Sequence, residues 1–142
     1  MSGGVITKRV LKNYVKTVTF SETTGVGATG NITIASVTGR VLITHLSAFC
    51  STSVVTTTAG ELELGVAGNT AALIAQIADA GDLVATEFWN DATPTDVYVA
   101  DAIVNKLVAS DILLKVTTSP MTAGVIEFSM FWLPMSADGN LG

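Results

Sequence analysis

Apolar residues fall on every second position along most of the chain beyond residue 15, and the stretches between them are rich in Gly, Thr, Ser, Asn and Asp. That is the periodicity of β-strands separated by turns. Glu61-Leu-Glu-Leu64 alternates cleanly, with Leu62 and Leu64 facing inward and Glu61 and Glu63 facing water. Near the end of the chain Ile126, Phe128, Met130 and Trp132 share one face and Glu127 and Ser129 the other, until Pro134 removes a ladder donor. Residues 41–50 are apolar on both faces, Leu42, Leu46 and Cys50 on one, Val41, Ile43, His45 and Phe49 on the other. Further strands are expected at 15–20, 31–37, 86–89, 97–100 and 111–117, bounded by turn residues such as Gly25, Gly39, Pro94, Ser110 and Pro120, about eight in all. The Ala-rich residues 70–79, with Thr70 as N-cap, predict one short helix or irregular crossover. A strand every 10–15 residues or so suits an all-β, two-sheet β-sandwich better than βαβ units. Its core is expected to stack Leu62, Leu64, Ile112, Leu114, Val116, Ile126, Phe128, Met130 and Trp132.

Composition makes that sandwich an unusual one. Its 142 residues fit one domain, but only 13% are charged, 49% are hydrophobic and the mean hydropathy is +0.55. No stretch approaches the roughly 18 apolar residues that a membrane-spanning helix needs, so no membrane partner is expected. No apolar run follows Lys8, Arg9 and Lys12, so no secretory signal is expected either. A single cysteine, Cys50, closes no intrachain disulfide, and there is no Cys/His cluster for zinc. Lys8, Arg9, Lys12 and Lys16 sit in the first sixteen residues without an acid; residues 17–142 hold three cations and twelve acids, a net charge of −9. The chain therefore divides into a basic arm, 1–16, and an acidic sandwich domain, 17–142. So few charges leave apolar surface unbroken, which implies that other subunits cover part of it. Val41, Ile43, His45 and Phe49, on a strand that looks buried on both faces, and the outward Leu113 are the expected oligomer interface.

No catalytic constellation emerges. Gly25-Val-Gly-Ala-Thr-Gly30 has G-x-G-x-x-G spacing, but the β-branched Asn31-Ile-Thr-Ile that follows offers no helix terminus to a phosphate. His45 and Cys50, five residues apart on one strand, point to opposite faces and cannot act as base and nucleophile. With one histidine, only an oxygen-ligand cation near Asp79/Asp82 or Asp91/Asp96 is conceivable, and calcium-loop spacing is absent, so no metal and no cofactor is expected. Glu61 and Glu63 stand about 7 Å apart on one face, as paired glycosidase carboxylates can, but a chain with 6% aromatics lacks sugar platforms. An acidic body repels phosphate, so no nucleic-acid partner is expected. The reading is not an enzyme.

The segments Val37-Thr-Gly-Arg-Val-Leu-Ile-Thr, Glu61-Leu-Glu-Leu-Gly-Val-Ala, Ala72-Leu-Ile-Ala-Gln, Trp89-Asn-Asp-Ala-Thr-Pro and Phe131-Trp-Leu-Pro-Met-Ser-Ala-Asp-Gly-Asn resemble small virion proteins of tailed phages, in particular head decoration, or cement, proteins. The resemblance covers about residues 30–141 and carries no catalytic signature. It implies a jelly-roll sandwich and a homotrimer on the outside of the capsid, made in the host cytoplasm, that reinforces contacts between subunits of the major capsid protein. On that reading the arm would hold the capsid, through Lys8, Arg9, Lys12 and Lys16 and through Val5, Ile6, Leu11 and Tyr14. A phage tail or receptor-binding β module is the alternative, followed by a carbohydrate-binding module.

Overall fold

The computed structural model describes residues 9–21, 25–96 and 102–142. Its strands are β1 (Lys12–Thr19), β2 (Gly30–Ala35), β3 (Val37–Thr38), β4 (Val41–Thr56), β5 (Glu61–Val66), β6 (Asn69–Ile77), β7 (Ile103–Val108), β8 (Ile112–Thr117), β9 (Met121–Pro134) and β10 (Asn140–Leu141). Eight of them build two four-stranded antiparallel sheets, ordered β1-β9-β4-β7 and β2-β8-β5-β6, while β10 and β3 pair as a small clip. Apart from the β5–β6 hairpin, consecutive strands of the two large sheets alternate between sheets. The fold is the all-β sandwich that the alternation predicts.

All nine expected core residues are buried, each exposing 2% or less. Two aromatic side chains tie the layers together with polar tips as well as apolar bodies. The Tyr14 hydroxyl on β1 donates to the Ile34 carbonyl on β2, 2.8 Å away in the other sheet. Trp89, fully buried, donates its indole N–H to the Ala75 carbonyl of β6 at 3.2 Å and sets its ring edge-on to Phe128 at 6.3 Å. It thereby anchors the long β6–β7 connection to both sheets.

Three expectations need correction. Residues 70–79 form no helix: most of them belong to β6, which pairs with β5 through Leu62↔Ile77, Leu64↔Ile74 and Val66↔Asn69. The spacing of Leu73, Ile74 and Ile77 suits either structure, but a ten-residue helix is marginal by itself, and β5 offers a ladder to pair with. Gly65 permits the close approach, since a Cβ there would stand 2.2 Å from the Asn69 carbonyl oxygen. The only helical turn among the described residues is the short 3-10 segment Ala80–Asp82. Residues 86–89 make two isolated bridges through Phe88, to Phe49 and to Thr95, rather than a strand; the strand expected at 97–100 lies outside the described residues.

The third correction concerns β4. Ile43 pairs with Trp132 and His45 with Phe131, so Thr44 is an extra residue opposite β9. Such a bulge reverses which parity faces inward. Val41 and Ile43 are buried before it, and Leu46, Ala48 and Cys50 after it. Val41 and Ile43, both at 0% exposure, thus belong to the subunit's own core and offer nothing to a second copy, while His45 turns to the surface.

Phe128 is fully enclosed and touches Trp89. Phe128→Ala is expected to cost about 3–5 kcal/mol by chemical denaturation, a large part of the stability of an ordinary domain. A loss below about 1 kcal/mol would contradict this packing.

Candidate assembly surface

The residues assigned to the arm separate in the structure. Val5, Ile6 and Lys8 lie outside the described residues. Arg9 and Leu11 precede β1 and are exposed. Lys12 opens β1 and holds its ammonium 5.1 Å from the Trp132 ring centroid. Lys16 pairs in register with Phe128, and Tyr14 bridges the sheets. Lys12, Tyr14 and Lys16 are therefore part of the sandwich edge, not of a free extension. The structure begins this strand at Lys12 because Lys12 to Thr19 pair without interruption against β9.

Of the expected interface residues, His45 is exposed and meets Phe131 edge-on at 6.3 Å. Phe49 is half-buried under Phe88, with ring centroids 5.1 Å apart. Leu113 lies on the outer face of the other sheet, opposite Thr33 and Gly65, and is half-buried. The structure does not bring these three together on one face.

It does assemble an apolar outer face on the β1-β9-β4-β7 sheet. One row across the strands reads Asn13, Phe131, His45, Val104; the next reads Leu133, Leu42, Leu107. Leu107 is 71% exposed, Leu11 53%, and Val15, Val104 and Phe131 between 41% and 48%. A hollow of about 360 Å³ opens there between Leu11, His45, Ser47, Ala102, Ser129 and Phe131. Sequence reasoning missed Leu107 and Phe131, although Phe131 follows Glu127 and Ser129 on the face expected to be polar.

The opposite sheet turns a polar face outward. Glu63, expected to face water, is nearly buried there; it accepts a hydrogen bond from the Thr70 hydroxyl and pairs with Lys115 at 3.5 Å. Glu61 accepts from the Thr117 and Thr118 hydroxyls, each at 2.8 Å. Those two bonds hold its carboxyl below the usual range. These bonds tie down side chains on the two central strands of the sheet, β5 and β8, and at the turn that follows β8. On the inner side, burial pushes the Cys50 thiol up, and its Sγ donates to the Thr52 carbonyl at 3.1 Å. His45 faces out while Cys50 faces in, so the two do not meet. The glycine-rich motif is a loop that leads into β2, and Gly27, at φ +120°, passes so near Met121 that a Cβ would lie 2.1 Å from its carbonyl oxygen.

A lowered carboxyl pKa in the folded state means that Glu61 stabilises the fold above its unfolded value, and that this contribution fades as pH falls through the folded value. Thermal melts of Glu61→Gln and the parent chain should therefore differ at neutral pH and converge only as the pH falls through the lowered folded value, beneath the usual carboxylate range. A difference in Tm independent of pH would refute the ionised role.

No protein-family model and no curated protein matches the sequence. Solved structures do match the fold. A chain of "Cyanophage Pam1 capsid asymmetric unit" superposes with a TM-score of 0.50 at 11% identity, over 94% of this chain and 91% of that one. A chain of "Acidic stable capsid structure of Helicobacter pylori bacteriophage KHP30" gives 0.50 at 9% identity, over 95% and 97%. At those identities the similarity is one of fold, and it extends over nearly the full length of all three chains.

Proposed function

We propose that this chain is a structural protein of a phage virion which binds the outside of the capsid as a homotrimer and reinforces contacts between major capsid protein subunits. The observation that carries the reading is the near full-length match of its fold to chains of two phage capsid structures. The strand order supports it further. Pairs β1/β9, β2/β8, β4/β7 and β5/β6 nest like a folded hairpin ribbon, joined along β9/β4 and β8/β5. That winding is the reason to read the sandwich as a jelly roll, an architecture recurrent in viral capsid domains.

The surface suits an assembly part rather than a catalyst. One broad face is apolar and the other is tied up in hydrogen bonds between side chains. Apolar surface of that kind marks a place where another protein sits. Attachment to the capsid falls to the basic, apolar-rich residues ahead of β1, namely Val5, Ile6, Lys8, Arg9 and Leu11. Exposed ion pairs contribute only about 0–1 kcal/mol each. Three such segments on one rigid trimer act at high effective concentration, and avidity can exceed a single segment's affinity by about 10²–10⁴-fold.

Imaging intact particles should show the protein at many capsid lattice positions; density confined to the tail would transfer it to a tail module. Deleting residues 2–9 should leave the oligomer's mass and melting unchanged and abolish binding to stripped particles. If the shortened chain decorates as tightly as the full one, attachment lies in the sandwich.

A further inference from the structure

The β1-β9-β4-β7 sheet is electrically lopsided. β1 carries Lys12 and Lys16 and no acid, and it is an outer strand of the sheet. The opposite edge has two parts. β7 pairs with β4 from Val41 to Leu46. Beyond it, residues 83–89 run along β4 through Val54 N–H to Leu83 O, Thr86 N–H to Cys50 O, Cys50 N–H to Glu87 O and Trp89 N–H to Ala48 O, at 2.8–3.0 Å. The stretch 79–96 that contains this segment has five acids and no cation, and Lys106 is the one cation on β7.

Each edge also carries exposed apolar side chains, Val15 on β1, and on the opposite edge Val84 in the acidic stretch and Val104 and Leu107 on β7 beside it. Among the described residues the one ion pair within the chain is Lys115–Glu63, on the other sheet. The charges of both edges thus have no ion-pair partner within the subunit among the described residues. At about 4.8 Å between strands, the edges stand roughly 14 Å apart and cannot neutralise each other in one copy.

We propose that the two edges are the halves of one head-to-tail contact, the basic β1 edge of one copy seated against the acidic edge of the next. The partner is a second copy because this chain carries both halves in complementary form, apolar against apolar and cation against carboxylate. A contact between two different patches cannot stop at a two-fold dimer; it continues until a ring closes or, where the rotation does not close, as an open filament. The inference rests on the self-assembly reading above and identifies the surfaces that would build it, leaving the residues ahead of β1 to the capsid.

Charge-swap variants of the full chain test it, with mass read by light scattering after size exclusion and folding read by thermal melts. Lys12→Glu with Lys16→Glu should give monomers, and so should Asp91→Lys with Asp96→Lys, a second route through exposed residues that does not disturb the Lys12 contact with Trp132. Adding Asp82→Lys to the other four substitutions takes β1 to −2 and residues 79–96 to +1, so the signs are exchanged and the parent mass should return. The parent oligomer should also loosen as salt rises. Either double variant keeping the parent mass would overturn the proposal, as would a folded fivefold variant that stays monomeric or a parent chain that is monomeric both free and on particles. An oligomer that follows these rules but is absent from capsids would leave this contact standing and remove the virion reading instead.

Discussion

Everything in this sandwich hangs on the pairing of its two longest strands, β4 and β9, and on how that pairing stays inside a small, twisted body. β4 has 16 residues and β9 has 14. A straight strand of 16 would extend about 54 Å, far beyond the width of one sheet. Register shifts at Thr44 and again between Cys50 and Thr56 break the pair into shorter runs, and each shift bends and twists it. Gly124 serves the same end, at φ +122° and so close to β4 that a Cβ would lie 2.7 Å from the Val54 Cα. Because each bulge exchanges inner for outer positions, the core can follow the bend while every pairing run still buries one face.

That mechanism explains which parts of the structure could be read from the sequence. Strands with a single parity were legible: β5, β8 and β9 gave all nine core residues, because alternation reports burial directly wherever a strand is regular. β4 was legible as a strand but not in its faces. Nothing in Val41-Leu-Ile-Thr-His-Leu says that Thr44 is the extra residue, since the bulge answers to the partner strand rather than to local preference. Hence Val41 and Ile43 looked like interface and proved to be core. β6 was misread for a related reason, in that Ala-rich propensity is weak beside an unpaired neighbouring ladder.

The aromatic anchors were hidden because their partners are far away in sequence. Tyr14 reaches Ile34 in the other sheet, and Trp89 reaches Ala75 and Phe128. A tyrosine among lysines reads as a surface residue until a strand partner is known. Once β1 is paired, its hydroxyl falls beside a carbonyl that needs a donor, and the same residue becomes a strut. The chemistry-bearing residues were easier to judge, because strand parity alone separates His45 from Cys50 and places β-structure after the glycine motif.

The two outer faces follow from how the scarce charge is spent. With charges at 13% of residues, a sandwich cannot keep both faces and both edges well solvated. The β2-β8-β5-β6 sheet uses Glu61, Glu63 and Lys115 in bonds to its own threonines and in an ion pair. The other sheet leaves its centre apolar and places charge at its rims, positive on β1 and negative along 79–96. An apolar centre alone would favour indiscriminate association, because hydrophobic burial has no direction. In the head-to-tail contact proposed above, charges of opposite sign at opposite edges would supply the direction, since like edges repel and only one arrangement of neighbours brings unlike edges together.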